Sequence, residues 1–192
     1  MNFVKITDRS NIDVESINYL WDYYPKNRGP QDTISEQILM LKGLHKMIPF
    51  NDETKQTLEL IVATFTKHMV KKLPNAASNY IFCLVPSHSS GTDNKNGIYM
   101  FGRWCNAIRY FFDKDIIERI VEIESLHSGG DRSLEVQLNS LKINKNVKDK
   151  KIVVIDDVTT SGNSLIACKT LLQQSGASEV LLFAFGKTVS LY

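Results

Sequence analysis

Apolar and polar positions alternate along the chain in two distinct rhythms. Over residues 53–73, Leu58, Ile61, Val62, Phe65 and Met69 recur three and four residues apart, which lines them on one face of a helix. Lys71 and Lys72 fall where the helix dipole is negative, and Pro74 stops the run. Shorter apolar runs follow. Tyr80 to Val85 predict a buried strand over residues 79–85, ending in the polar turn of residues 86–91. Residues 151–155 carry a short β-branched apolar run, Ile152 to Ile155, as in a strand buried on both faces. Residues 180–185 predict a second such strand. Between the two, Leu165, Ala167, Cys168, Leu171 and Leu172 form the inward stripe of a helix over residues 164–174, and Gly176 is a natural helix stop. Strand, polar loop, helix and strand make one βαβ unit.

The remaining pattern is weaker. Trp21, Tyr23 and Tyr24 lead into a turn at residues 25–30, and residues 35–44 predict a short helix. Residues 1–50 are read as an N-terminal cap or helical lobe, ahead of a main domain over residues 51–192. A helix is predicted over residues 102–112 through Trp104, Ala107, Ile108 and Phe111, and a strand near residues 120–123. Gly129 and Gly130 mark residues 125–132 as a mobile loop. Residues 133–147 are polar, with only moderate structural signal.

Composition narrows the class. The chain has 192 residues, 43% hydrophobic and 23% charged, enough for a sizeable core. Net charge is +2, which neither requires nor excludes a nucleic-acid partner. Apolar runs are too short to span a membrane, and the polar N-terminus lacks a signal core, so a cytoplasmic location is expected. Cys83, Cys105 and Cys168 are widely spaced and read as reduced thiols. The four histidines show no metal-ligand spacing.

The chemistry concentrates where the strand of residues 151–155 ends, because ligands of parallel sheets bind beyond the carboxyl ends of strands. Asp156 and Asp157 are followed by Thr159, Thr160, Ser161, Gly162, Asn163 and Ser164 at a helix start. A helix N-terminus offers unpaired amides and partial positive charge, which favour phosphate. The hydroxyls can donate to phosphate oxygens, and Gly162 permits close backbone approach. The carboxylates suit ribose hydroxyls or a bridging metal. A diol beside a phosphate satisfies both halves.

Residues 153–164, Val-Val-Ile-Asp-Asp-Val-Thr-Thr-Ser-Gly-Asn-Ser, resemble the signature of type I phosphoribosyltransferases that binds 5-phosphoribosyl-1-pyrophosphate (PRPP). The resemblance implies a Rossmann-like α/β fold, a parallel sheet flanked by helices, and an enzyme releasing pyrophosphate with Mg²⁺ as cofactor. It assigns Asp156 and Asp157 to ribose and, directly or indirectly, to the metal. It assigns residues 159–164 to the 5-phosphate. PRPP or a ribose 5-phosphate nucleotide is the implied partner, and a homodimer is compatible with it. Within the family the chain is most similar to the ComF-like group, through Val85-Pro86, Arg132, Gln137, Leu138, Asn144 and Gly176-Ala177. It departs from many of those proteins in lacking a four-cysteine N-terminal zinc ribbon.

The same resemblance implies a pyrophosphate loop at Pro86, Ser87, His88 and Ser89. It implies a covering loop hinged at Gly129 and Gly130 with Arg132 reaching pyrophosphate, and an acceptor position near Lys187. Other site classes fit poorly. Gly186-Lys187-Thr188 is not a P-loop, because the required earlier glycine would fall at Leu181 and no chain remains for the helix. Dinucleotide and nucleophile-elbow glycine motifs do not occur. A receiver domain would need further βα units after Asp157. The alternative of a different class is a non-catalytic PRPP- or nucleotide-sensing or interaction protein on the same fold.

Overall fold

The computed structural model describes residues 1–6, 12–25, 32–41, 79–88, 110–123 and 131–189, together with residues 56, 59, 60, 62–64, 66, 67 and 71. In chain order its elements are β1 (Phe3–Lys5), β2 (Ile17–Tyr23), α1 (Thr33–Leu41), β3 (Tyr80–Leu84), β4 (Phe111–Phe112), β5 (Ile117–Arg119), α2 (Leu134–Ser140), β6 (Leu141–Ile143), β7 (Lys151–Thr159), α3 (Asn163–Gln174) and β8 (Glu179–Thr188). Six strands form one sheet in the order β1-β2-β8-β7-β3-β4, and every pairing is parallel. Strands β5 and β6 make a separate antiparallel pair.

β7 lies inside the sheet because both its faces are apolar. Val153 and Ile155 pack into one core cluster with Phe82, Phe183 and Phe185. Ile152 and Val154 pack into the other, against Leu165, Cys168 and Leu172 of α3. Phe82, Phe183 and Phe185 are fully buried, so cutting any one to Ala is expected to cost about 3–5 kcal/mol. The βαβ unit is β7, α3 and β8. Gly176, with φ of 91°, ends the helix, and the Ala177 amide donates to Leu172 O at 3.0 Å.

Several expectations shift. β7 and β8 run beyond the apolar segments that announced them, so Asp156, Asp157 and Lys187 stand within strands and not in loops. Their cross-strand pairing carries the ladder past the last apolar residue. Residues 111–112, expected to close a helix, pair instead with Ile81 and Phe82 as β4, a strand that suits two adjacent aromatics. Residues 120–123 are not strand; the strand is β5, a few residues earlier, fixed by register with Leu141–Ile143. Described residues between 56 and 71 are helical, and Thr66 Oγ1 donates to Val62 O at 2.7 Å. β1 and β2, which no pattern announced, extend the sheet beside β8, and α1 overlaps the helix expected over residues 35–44.

Candidate functional site

Pairing of β7 with β3 ends at Ile155 opposite Leu84, whereas pairing with β8 continues to Thr159 opposite Lys187. Asp156 and Asp157 therefore extend past the end of β3, at the carboxyl end of the sheet. Ile155 and Val158, three residues apart, pack toward the same core cluster. Strict strand alternation is thus interrupted between them, where both acids stand. Each carboxylate accepts from the next amide: Asp156 Oδ1 from Asp157 N at 2.9 Å, and Asp157 Oδ1 from Val158 N at 2.5 Å.

The turn from β7 into α3 is only three residues long, from Thr160 to Gly162. Gly162 adopts φ 84°, ψ −2°, a left-handed conformation that glycine takes without strain. The space beside it is closed as well: an added Cβ would lie 2.4 Å from Ile17 Cδ1 and 3.2 Å from Phe3 Cζ. Strands β1 and β2 thus press against the underside of this turn. The first helical hydrogen bond runs from Ile166 N to Gly162 O at 2.9 Å, so the amides of residues 163–165 precede it. The first turn of α3 carries no acidic residue, and no side chain caps it at Gly162. An anion there would meet amides and a positive dipole end.

Neighbouring side chains brace the turn. Thr160 Oγ1 lies 2.8 Å from Thr188 Oγ1, the last residue of β8. Asn163 Nδ2 donates to Arg132 O at 2.9 Å, and Asn163 N to Ser161 Oγ at 3.4 Å. Thr160 and Ser161 are exposed, Ser164 is half-buried, and Thr159 is buried at the end of β7. Lys187 Nζ stands 4.5 Å from the Phe3 ring centroid and donates to Thr188 O at 3.0 Å. Burial holds its pKa below the usual lysine value.

Pro86, Ser87 and His88 follow β3 on the other side of β7, whereas Ser89, Gly129 and Gly130 lie outside the described residues. The buried Arg119 of β5 reaches this loop: Nε donates to Ser87 O, and Nη2 to Pro86 O at 3.4 Å. Its Nη1 donates to Ser140 Oγ and its Nη2 to Gln137 Oε1 at 3.2 Å. Burial lowers the Arg119 pKa, the charge of Arg132 adds to this, and the charge of Asp156 opposes it. Ile123 N donates to His88 O at 3.1 Å. Gln137 Nε2 and Arg132 Nε are buried donors with no hydrogen-bond partner among the described residues. Arg119 escaped the sequence reading because an arginine carries no burial signal, and Gln137 entered it only through the family resemblance, with no sign of its burial; Phe3, Ile17 and Thr188 gained no role there because only the sheet order brings them to the turn.

A divalent cation suits Asp156 and Asp157, since Mg²⁺ is commonly held by one or two carboxylates with phosphate and water completing its shell. Among the described residues no three His, Cys, Asp or Glu side chains gather as a metal cage. A phosphorylated ligand would have to supply the other oxygens.

Fold and site together define an α/β domain whose parallel sheet carries, at the carboxyl end of β7, two adjacent carboxylates, a left-handed glycine turn and the start of α3. Residues 107–185 match the family described as phosphoribosyl transferase domain. No curated protein matches the chain. Among solved structures, a purine phosphoribosyltransferase from Pyrococcus horikoshii is 15% identical with TM-score 0.42, over 67% of this chain and 86% of that one. An adenine phosphoribosyltransferase from Leishmania tarentolae is 14% identical with TM-score 0.39, over 88% and 83%. A phosphoribosylpyrophosphate synthetase from Mycobacterium smegmatis is 14% identical with TM-score 0.37, over 90% of this chain and 54% of that one. At these scores overall shape carries no functional weight, and the family match stands by itself. No helix among the described residues is long and apolar enough to cross a membrane.

Proposed function

We propose that the chain is a phosphoribosyltransferase that binds PRPP and transfers its phosphoribosyl group to a nitrogen nucleophile or similar acceptor, releasing pyrophosphate. The observation that carries this reading is the run from Asp156 to Ser164: two carboxylates past the end of β3, a left-handed glycine, and the uncapped start of α3, all inside the family-matched segment. The 5-phosphate would lie on the amides of residues 163–165 with the hydroxyls of Thr160, Ser161 and Ser164. The ribose diol would donate to Asp156 and Asp157. Mg²⁺, when bound, would neutralise pyrophosphate charge and orient it beside those carboxylates.

In the reaction the bond between the anomeric carbon and pyrophosphate breaks, and pyrophosphate leaves with the electron pair. The acceptor lone pair forms the new bond to that carbon, and the acceptor then loses its proton. Positive charge develops on the ribosyl ring, so preorganised donors around the leaving group matter more than a covalent nucleophile. The residues 86–88 and Arg132 are the proposed pyrophosphate contacts. The buried Arg132 Nε, which has no acceptor among the described residues, supports the second of these. Lys187, at the end of β8, is the proposed acceptor-side residue. The ComF-like grouping is part of this proposal; its support is that Arg132, Gln137 and Asn144 each join the site or the β5–β6 pair beside it.

The test is pyrophosphate release from PRPP and Mg²⁺ with a panel of nucleobases and amines. Acceptor-dependent release supports transfer. Saturable PRPP binding without release from any acceptor contradicts it in favour of a sensing protein.

A further inference from the structure

We infer that Arg119 is the positioning residue of the loop 86–88: it holds the loop's carbonyls so that the adjoining amides face a pyrophosphate group. The inference rests on the phosphoribosyltransferase reading above and assigns a role to a residue outside the signature.

Three successive carbonyls of the loop accept from residues of the segment 119–123. Arg119 donates to Pro86 O and Ser87 O, and the Ile123 amide donates to His88 O. Among the described residues all peptide bonds are trans. A planar trans peptide points its N–H opposite to its C=O. Fixing Pro86 O and Ser87 O toward Arg119 therefore turns the amides of Ser87 and His88 the other way. Two successive amides turned to one side form a site for an anion.

Arg119 is built for this task. It is 4% exposed, although charged side chains are rarely buried unless paired. Among the described residues no carboxylate pairs with it by hydrogen bond; its donors go to two backbone carbonyls, Ser140 Oγ and Gln137 Oε1. Ser140 Oγ in turn donates to Gln137 O at 2.9 Å, which ties the guanidinium to α2. Only a planar fork reaches loop and helix together. Lysine has the charge but not the fork. Arg119 thus acts through the loop and touches no reacting atom.

The test uses the full chain with Mg²⁺ and two probes, inorganic pyrophosphate and ribose 5-phosphate, measured by calorimetry. Wild type binds both. Arg119→Lys is expected to lose at least tenfold in pyrophosphate affinity while ribose 5-phosphate affinity stays within twofold. Ser140→Ala, a milder cut at one anchor, is expected to lose severalfold for pyrophosphate alone, and it decides the matter if Arg119→Lys does not fold. A folded Arg119→Lys with unchanged pyrophosphate affinity overturns the positioning role and leaves the proposed function standing. Equal loss of both probes also overturns it, since a merely structural residue would weaken both. Failure of the wild type to bind either probe removes the reading of the site and this role with it.

Discussion

The hydroxyl of Thr160 lies 2.8 Å from that of Thr188, tying the turn after β7 to the last residue of β8. The two strands are already paired up to Thr159 and Lys187, so this contact continues their ladder through side chains. Thr188→Val keeps the shape and removes the hydroxyl. A neutral hydrogen bond contributes about 0.5–1.5 kcal/mol. Ribose 5-phosphate affinity should fall by up to about tenfold. Unchanged affinity by calorimetry would show that the turn holds its form without β8.

Gly162 is constrained twice, by its backbone and by Ile17. Gly162→Ala should lower stability by about 1–2 kcal/mol from the left-handed backbone, with overpacking adding about 1–3 kcal/mol. Ile17→Val deletes the Cδ1 atom that lies 2.4 Å from the added Cβ. The double variant should recover part of the Gly162→Ala loss and none of the backbone strain. Melting temperatures that are simply additive would contradict the contact, because touching residues couple.

Asp156→Asn and Asp157→Asn each remove charge from the proposed ribose contact. Hydrogen bonds to charged groups contribute about 1.5–3 kcal/mol, or roughly ten- to a hundredfold in affinity. PRPP and ribose 5-phosphate should weaken by that factor, and pyrophosphate alone should change little. Wild-type PRPP binding by the double variant would remove both carboxylates from the site.

Three polar side chains meet at the opposite end of the sheet. Tyr80, Lys151 and Glu179 are the first residues of β3, β7 and β8 and stand in register. The Tyr80 hydroxyl donates to Glu179, whose other oxygen accepts from Lys151 Nζ at 3.1 Å. The Tyr80 bond first, then the Lys151 bond and charge, hold the Glu179 carboxyl below its ordinary value of 4.5. A depressed carboxylate stabilises the fold above its unfolded pKa, and that contribution is lost as pH falls through the folded pKa. Tyr80→Phe should therefore flatten the loss of stability below about pH 4.5 while leaving ligand binding at neutral pH intact. Denaturant titrations at a series of pH values check the slope, and an unchanged slope would contradict the role of Tyr80.

The sequence was most legible where local chemistry and position coincide. The β-branched run before Asp156, the hydroxyl-rich turn and Gly176 each act through their own backbone, and the βαβ unit follows from them. Less legible were features created by strand pairing. Asp156, Asp157 and Lys187 look like loop residues because they are charged, yet the β7–β8 ladder extends through them. α2 has no apolar stripe because it turns Gln137 and Ser140 inward, toward a buried arginine. Phe3 and Ile17 reach Gly162 only because β2 pairs with β8, across more than 160 residues of chain, a relation no local pattern encodes.

The most direct test of the central claim is calorimetric titration of the full chain with PRPP in the presence of Mg²⁺, paired with melting in the same buffer. A ligand that binds only the folded state stabilises it by about 2.7 kcal/mol at a hundred times its dissociation constant. Binding of PRPP beside Asp156 predicts saturable heat and a raised melting temperature, both reduced in Asp156→Asn. Saturating PRPP and Mg²⁺ with neither heat nor thermal shift would contradict it.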